Sequence, residues 1–149
     1  MFRWTATALI LTTLGAMPFL AMAADDPSHE RHELMESMGD AAKPLGGMLK
    51  GEIDFDAATA MESLGTMQDV ASRVGGLFPE GSYEPGEKKA NEAVWTDREG
   101  FDNLLAAFAV AVDAAIQANP QSLEALQPVA SEVFKNCKAC HEDYRTPGD

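Results

Sequence analysis

LQPVASEVFKNCKACHEDYR, residues 126–145, places apolar side chains at Leu126, Ala130, Val133 and Phe134. Steps of four, three and one keep them on one face of an α-helix, which turns about 100° per residue. Cys137, Cys140 and His141 extend the same stripe, because positions i, i+3 and i+4 of a helix are neighbours. The spacing therefore predicts a helix whose last turns present two thiols and an imidazole to the interior of a helical assembly. The chain has only two cysteines, and both lie in this stretch.

The rest of the chain repeats the helical period. Residues 24–149 show no strand-like alternation, no internal repeat and no low-complexity tract. A first helix is predicted from Asp26 and Pro27, a cap followed by proline at the first helical position. It runs through Leu34, Met38, Ala41, Leu45 and Met48 and ends at Lys50 and Gly51. Pro44 removes one backbone hydrogen bond and predicts a kink, since the apolar stripe continues beyond it. A second helix begins near Asp54 or Asp56, carries Ala57, Ala60, Leu64, Met67, Ala71 and Val74, and stops at Gly75 and Gly76. LFPEGSYEPGEKKANEAVW, residues 77–95, is rich in Gly, Pro and charge and reads as the one long connection. A third helix opens at Thr96-Asp97-Arg98-Glu99 as a capping box, Thr96 and Glu99 each bonding the other's amide. Its buried face is Phe101, Leu104, Leu105, Phe108, Val112 and Ala115, and Asn119-Pro120 ends it. The fourth helix starts at either Ser122 or Pro128 and reaches about Tyr144. The chain is thus all-α, and four such helices suit an antiparallel bundle.

The first residues read differently. MFRWTATALILTTLGAMPFLAMAADD, residues 1–26, has Arg3, an apolar stretch from about Ala6 to Leu20, and the small-x-small site Ala21-Met22-Ala23. We read residues 1–23 as a signal peptide cut after Ala23 and residues 24–149 as the domain. The apolar stretch is shorter than the roughly 20 residues of a spanning helix, and Asp25-Asp26 follow at once. No other segment reads as a span, so a periplasmic protein with no membrane span in its mature form is expected. The net charge is −13, and losing Arg3 makes it −14. Such a surface repels phosphate backbones, which argues against nucleic acid; it suits a basic docking partner, and equally the acids serve to keep an exported protein soluble.

The thiols and the imidazole fit few chemistries. A disulfide inside one helical turn conflicts with the geometry a disulfide requires. A thioredoxin-like pair needs a thiol at a helix N-terminus in a βαβ setting, which this chain lacks. Zinc needs more thiolates or imidazoles than lie nearby. Covalent haem needs what is present: two thiols three apart to bond the porphyrin edge, and an adjacent histidine to reach iron. Cys-x-x-Cys-His is the attachment signal of c-type haem, and export supplies the compartment where bacterial haem c is attached.

Four features extend this reading to the whole domain: CKACHEDYR near the C-terminus, RHELM early in the first helix, KPLGGMLKG at its end, and LFPEGS with AVW in the connection. In these the chain resembles the cytochrome c prime family, the class II c-type cytochromes. The resemblance implies the family's up-down-up-down four-helix bundle with one covalently bound haem. Carried over position by position, it makes Cys137 and Cys140 the thioether attachments and His141 the axial ligand of the iron. It brings Arg31 to a haem propionate, Met35 over the distal face and Arg145 to the proximal side. Trp95 fits the family as packing. It also implies a homodimer through the first two helices, whose Gly39, Ala41, Ala42, Ala57, Ala58 and Ala60 permit close approach.

The sixth iron position separates two chemistries. If Met35 only covers the iron, the metal stays five-coordinate and high-spin, and the family's binding of nitric oxide and carbon monoxide is expected alongside single-electron exchange with redox partner proteins. If Met35 coordinates, the alternative is a low-spin His/Met electron carrier. Met38, one turn on, is a further candidate, whereas His29 and His32 read as solvated. An enzyme such as a peroxidase would need acid–base groups over the iron, where Leu34 and Met35 stand, so no enzymatic activity is expected.

Overall fold

The structure, a computed structural model, describes residues 26–86 and 89–148. The signal peptide expected over residues 1–23 lies outside the described residues. In order come α1 (Pro27–Lys50), α2 (Ala57–Val74), a 3-10 turn (Gly75–Leu77), α3 (Ala93–Thr96), α4 (Arg98–Ala118) and α5 (Leu123–Tyr144). The long helices α1, α2, α4 and α5 form the four-helix bundle, and α3 is a single turn within the long connection.

Local chemistry sets most helix ends. Asp26 accepts a hydrogen bond from Ser28 N at 3.0 Å, and Pro27 follows it as the first helical residue. Gly51 closes α1 in the left-handed region at φ 71°, which glycine adopts without steric cost. The helix is continuous through Pro44. Of the two candidate starts for α2, Asp56 is the cap, accepting from Thr59 N at 2.7 Å.

One expected start is corrected, and of the two starts offered for the last helix one is selected. The capping box of Thr96 and Glu99 does not form; Asp97 caps α4 instead, accepting from Gly100 N at 3.3 Å. Thr96 is taken into the short α3, where its hydroxyl donates to Glu92 O at 3.3 Å, and a carboxylate is the stronger partner for a helix N-terminus. α5 starts after Ser122, whose Oγ accepts from Ala125 N at 3.3 Å, so Pro128 lies inside the helix.

The core is a column of apolar side chains drawn from all four long helices. Leu45 and Met48 of α1, Leu64 and Met67 of α2, Val112 of α4, and Leu126 and Val133 of α5 are almost wholly buried. Each such side chain contributes about 1.5–3 kcal/mol relative to exposure. α4 is also long and apolar enough, by length and composition, to qualify as a span, although no further segment reads as a span in the sequence. In the structure it packs between α2 and α5 as a bundle helix. α1 and α5 touch each other least among the neighbouring long helices.

At one end of the bundle the connection is held by side-chain donors from α1, α4 and the α3 turn. Arg31 of α1 donates to Leu77 O at 2.7 Å, to Ser82 O at 3.0 Å and to Ser82 Oγ at 3.2 Å. Arg98 of α4 donates to Phe78 O at 2.9 Å, and Trp95 Nε1 to Pro79 O at 2.9 Å. Phe78 sits at the centre, under the Arg31 guanidinium at 5.0 Å and edge-on to Trp95 and Phe101.

Candidate haem-binding site

The last turns of α5 hold Cys137, Cys140 and His141. Both cysteines are half-buried against the core and form no disulfide. Burial pushes the Cys137 thiol up to about 11, with the neighbouring Cys140 adding to the rise. Burial and then the Asp143 carboxylate push Cys140 up as well. Both are therefore neutral thiols at neutral pH, which suits covalent attachment better than metal–thiolate binding. Among the described residues no group of three or more His, Cys, Asp or Glu is arranged to hold a metal ion.

His141 departs from the expected orientation. It is exposed, although the stripe reading placed it in the interior. The buried line of α5 runs through Leu126, Ala130, Val133 and Tyr144, and at about 100° per residue His141 falls about 60° to one side of it. Partial desolvation and then the charge of Arg145 lower its pKa, so the imidazole is neutral at neutral pH and one ring nitrogen keeps its lone pair.

Tyr144 takes the core position in that last turn, and it was not singled out from the sequence. The signal was present in the spacing, since it extends the series 126, 130, 133, 137, 140. Its ring packs edge-on to Phe101 at 5.4 Å, and its hydroxyl donates to Asp97 Oδ2 at 2.7 Å. That hydrogen bond, with burial, raises the phenol to about 12.

On α1 the expected distal residues occupy different settings. Met35 is 38% exposed, while Leu34 and Met38 are buried in the core. Met38 is thereby accounted for by packing. Arg31 is buried and directs at least three donors into the loop described above, and its pKa is lowered mainly by that burial. His29 and His32 lie on the outer surface beside Glu33 and Glu36, at 3.3 and 3.5 Å. Arg145 follows α5 in extended backbone, paired antiparallel with Ala90. The structure thus gathers Cys137, Cys140 and His141 at one end of α5, and sets Arg31 and Met35 one turn apart on α1.

A four-helix bundle that ends its last helix in Cys-x-x-Cys-His, with both thiols unlinked and a neutral imidazole, defines a c-type cytochrome with a C-terminal haem motif. The profile of the family described as Cytochrome C' matches residues 26–145. The chain belongs to the cytochrome c prime family, whose cofactor is covalent haem c. A cytochrome c' of Rhodopseudomonas palustris is 36% identical over 140 residues, covering 94% of each chain. Cytochrome c-556 of the same organism is 30% identical over 144 residues, covering 94% of this chain and 93% of its own. The solved structure of cytochrome c' from Rhodopseudomonas palustris superimposes with a TM-score of 0.79 at 34% identity, over 85% of this chain and all of that one.

Proposed function

We propose that Cys137 and Cys140 hold one haem as thioethers, that His141 binds its iron, and that Met35 covers the opposite face without bonding. The observation that carries this reading is the donor set on α5: two thiols without a disulfide, half-buried and three apart, followed at once by a neutral imidazole. Residues of this kind fit covalent haem and fit no other group considered above. Bound there, the haem supplies an iron that exchanges one electron and, with its sixth position open, takes a small gas such as nitric oxide or carbon monoxide.

The chain's own residues would then do four things. The two thioethers fix the haem edge to a helix that is itself held at its end. His141 supplies a neutral nitrogen from one side. Met35 of α1, partly exposed beside the buried Leu34, presents a weak, uncharged thioether, which excludes water and favours an uncharged diatomic ligand. With His29 and His32 on the outer surface beside their glutamates, these residues offer no acid–base pair, which supports a binding and electron-transfer role over an enzymatic one.

The mature protein, residues 24–149, is exported to the periplasm in this reading and pairs as a homodimer through α1 and α2. Of the small residues expected at that interface, Ala41 and Ala60 lie in the protomer's own core, which leaves Gly39, Ala42, Ala57 and Ala58 for the contact. Partners are small gases or redox proteins.

The test is the absorption and electron paramagnetic resonance spectrum of the ferric protein at neutral pH. A high-spin signal is expected. A low-spin spectrum with a sulfur-to-iron band would replace this reading with the His/Met electron carrier. Absence of a haem c spectrum in pyridine and dithionite would overturn both.

A further inference from the structure

The end of α5 is tied down more heavily than a helix close to the end of the described chain requires. The last carbonyls of an α-helix have no partner within the helix and are ordinarily left to water or to a glycine cap. Here Asn91 serves two of them, its N–H donating to Tyr144 O at 3.0 Å and its Nδ2 to Asp143 O at 2.9 Å. Its Oδ1 meanwhile accepts from Ala93 N at 2.9 Å, so the same side chain starts α3. On the other side, the Tyr144 hydroxyl reaches the Asp97 carboxylate that caps α4. Gly100 makes room for that pair: a Cβ there would collide with both the Tyr144 hydroxyl and Asp97 Oδ2. Two separate elements, residues 89–91 and the first turn of α4, therefore converge on the single turn that begins with His141.

We propose that Asn91 and the Asp97–Tyr144 pair are positioning residues for the His141 imidazole. They hold the last turn of α5 as one unit with α4 and the connection, so that these neighbours, and not α5 alone, set the direction from which the ring nitrogen meets the iron. The inference rests on the reading of His141 as the axial ligand. An imidazole on the exposed flank of a helix is only partly buried, so little packing of its own holds it. Its orientation must be inherited from the backbone that carries it.

The experiment uses the full haem-loaded protein in the ferrous state and reads the iron–histidine stretching band by resonance Raman spectroscopy. Tyr144→Phe keeps the ring against Phe101 and removes only the hydroxyl; Asn91→Ala removes the side-chain donor. Each should lower and broaden the band. Asp97→Asn, which retains an acceptor oxygen for the phenol, should keep it at the wild-type position. Leu64→Ala, a cavity in α2 that bonds to neither anchor, serves as a control for lost stability. A shift in the first two variants with none in the control supports the brace. An unshifted band in both, or an equal shift in the control, overturns it while leaving His141 as ligand. Absence of an iron–histidine band in the wild type overturns the ligand assignment and the brace with it.

Discussion

Replacing Arg31 by alanine should remove the tie between α1 and the long connection. The guanidinium donates to Leu77 O, Ser82 O and Ser82 Oγ and lies 5.0 Å from the Phe78 ring centre and 5.8 Å from that of Trp95. Hydrogen bonds to a charged group contribute about 1.5–3 kcal/mol each when buried, and a cation over an aromatic face about 0.5–2 kcal/mol. Leu77 and Ser82 are only half-buried, so water recovers part of the loss at the abandoned oxygens. A net destabilisation of about 2–4 kcal/mol is expected on this basis. Urea unfolding of the haem-loaded protein should show a lower midpoint at unchanged slope. Arg31→Lys should fall between, because one ammonium cannot span the two carbonyls. Paired with Ser82→Ala, the cycle should give a coupling of about 0.5–3 kcal/mol. A loss below about 0.5 kcal/mol, ordinary for a surface site, would refute the clamp. A full-sized loss with no coupling to Ser82 would remove the Ser82 Oγ contact from the clamp and leave the Leu77 and Ser82 carbonyls as its partners.

Tyr144 gives a pH dependence of defined sign. Its phenol is raised from 10.0 to about 12 in the folded chain, so the unfolded chain loses this proton first, and stability should fall as pH rises from about 10 to 12. Denaturation midpoints across that range should show the decline, and Tyr144→Phe should flatten it. Met35→Ala should speed carbon monoxide binding to the ferrous protein, followed by stopped flow, while the ferric protein stays high-spin in both forms. N-terminal sequencing of the exported protein should begin at Ala24; a retained Met1 would contradict the signal peptide. Sedimentation at high concentration should give a dimer mass, and a monomer mass would reject pairing through α1 and α2.

Helix ends written in adjacent residues were legible in the sequence, and those written across the fold were not. Asp26-Pro27, Asp56 and Gly51 act on amides and carbonyls within a few positions, so the caps of α1 and α2 follow from local chemistry. The start of α4 does not. Whether Thr96 or Asp97 caps it depends on the single turn of α3, and that turn is started by Asn91, which is itself held against the end of α5. Arg31 shows the same limit. The family resemblance brings Arg31 to a haem propionate, yet its partners in the structure lie 46 and 51 positions away. The Cys-x-x-Cys-His motif was legible because its chemistry is local, whereas the placement of His141 on the flank of α5 depended on Tyr144 taking the core position.

The two sides of the proposed haem are tied to one another through protein. From Arg31, one turn before Met35, the guanidinium rests on Phe78; Phe78 meets Phe101 at 4.8 Å; Phe101 meets Tyr144 at 5.4 Å, three residues after His141. α1 and α5 make little direct contact, and this path through the connection and α4 is one link between them, alongside the packing of α2 between α1 and α4. A haem held by Cys137, Cys140 and His141 would then have its distal cover referenced to the same aromatic cluster as its proximal ligand. Arg31→Ala should therefore alter carbon monoxide binding as well as stability, and Tyr144→Ala, which removes the ring that meets Phe101, should alter both as well. A substitution of similar cost in the middle of the bundle, such as Leu64→Ala, should change stability alone.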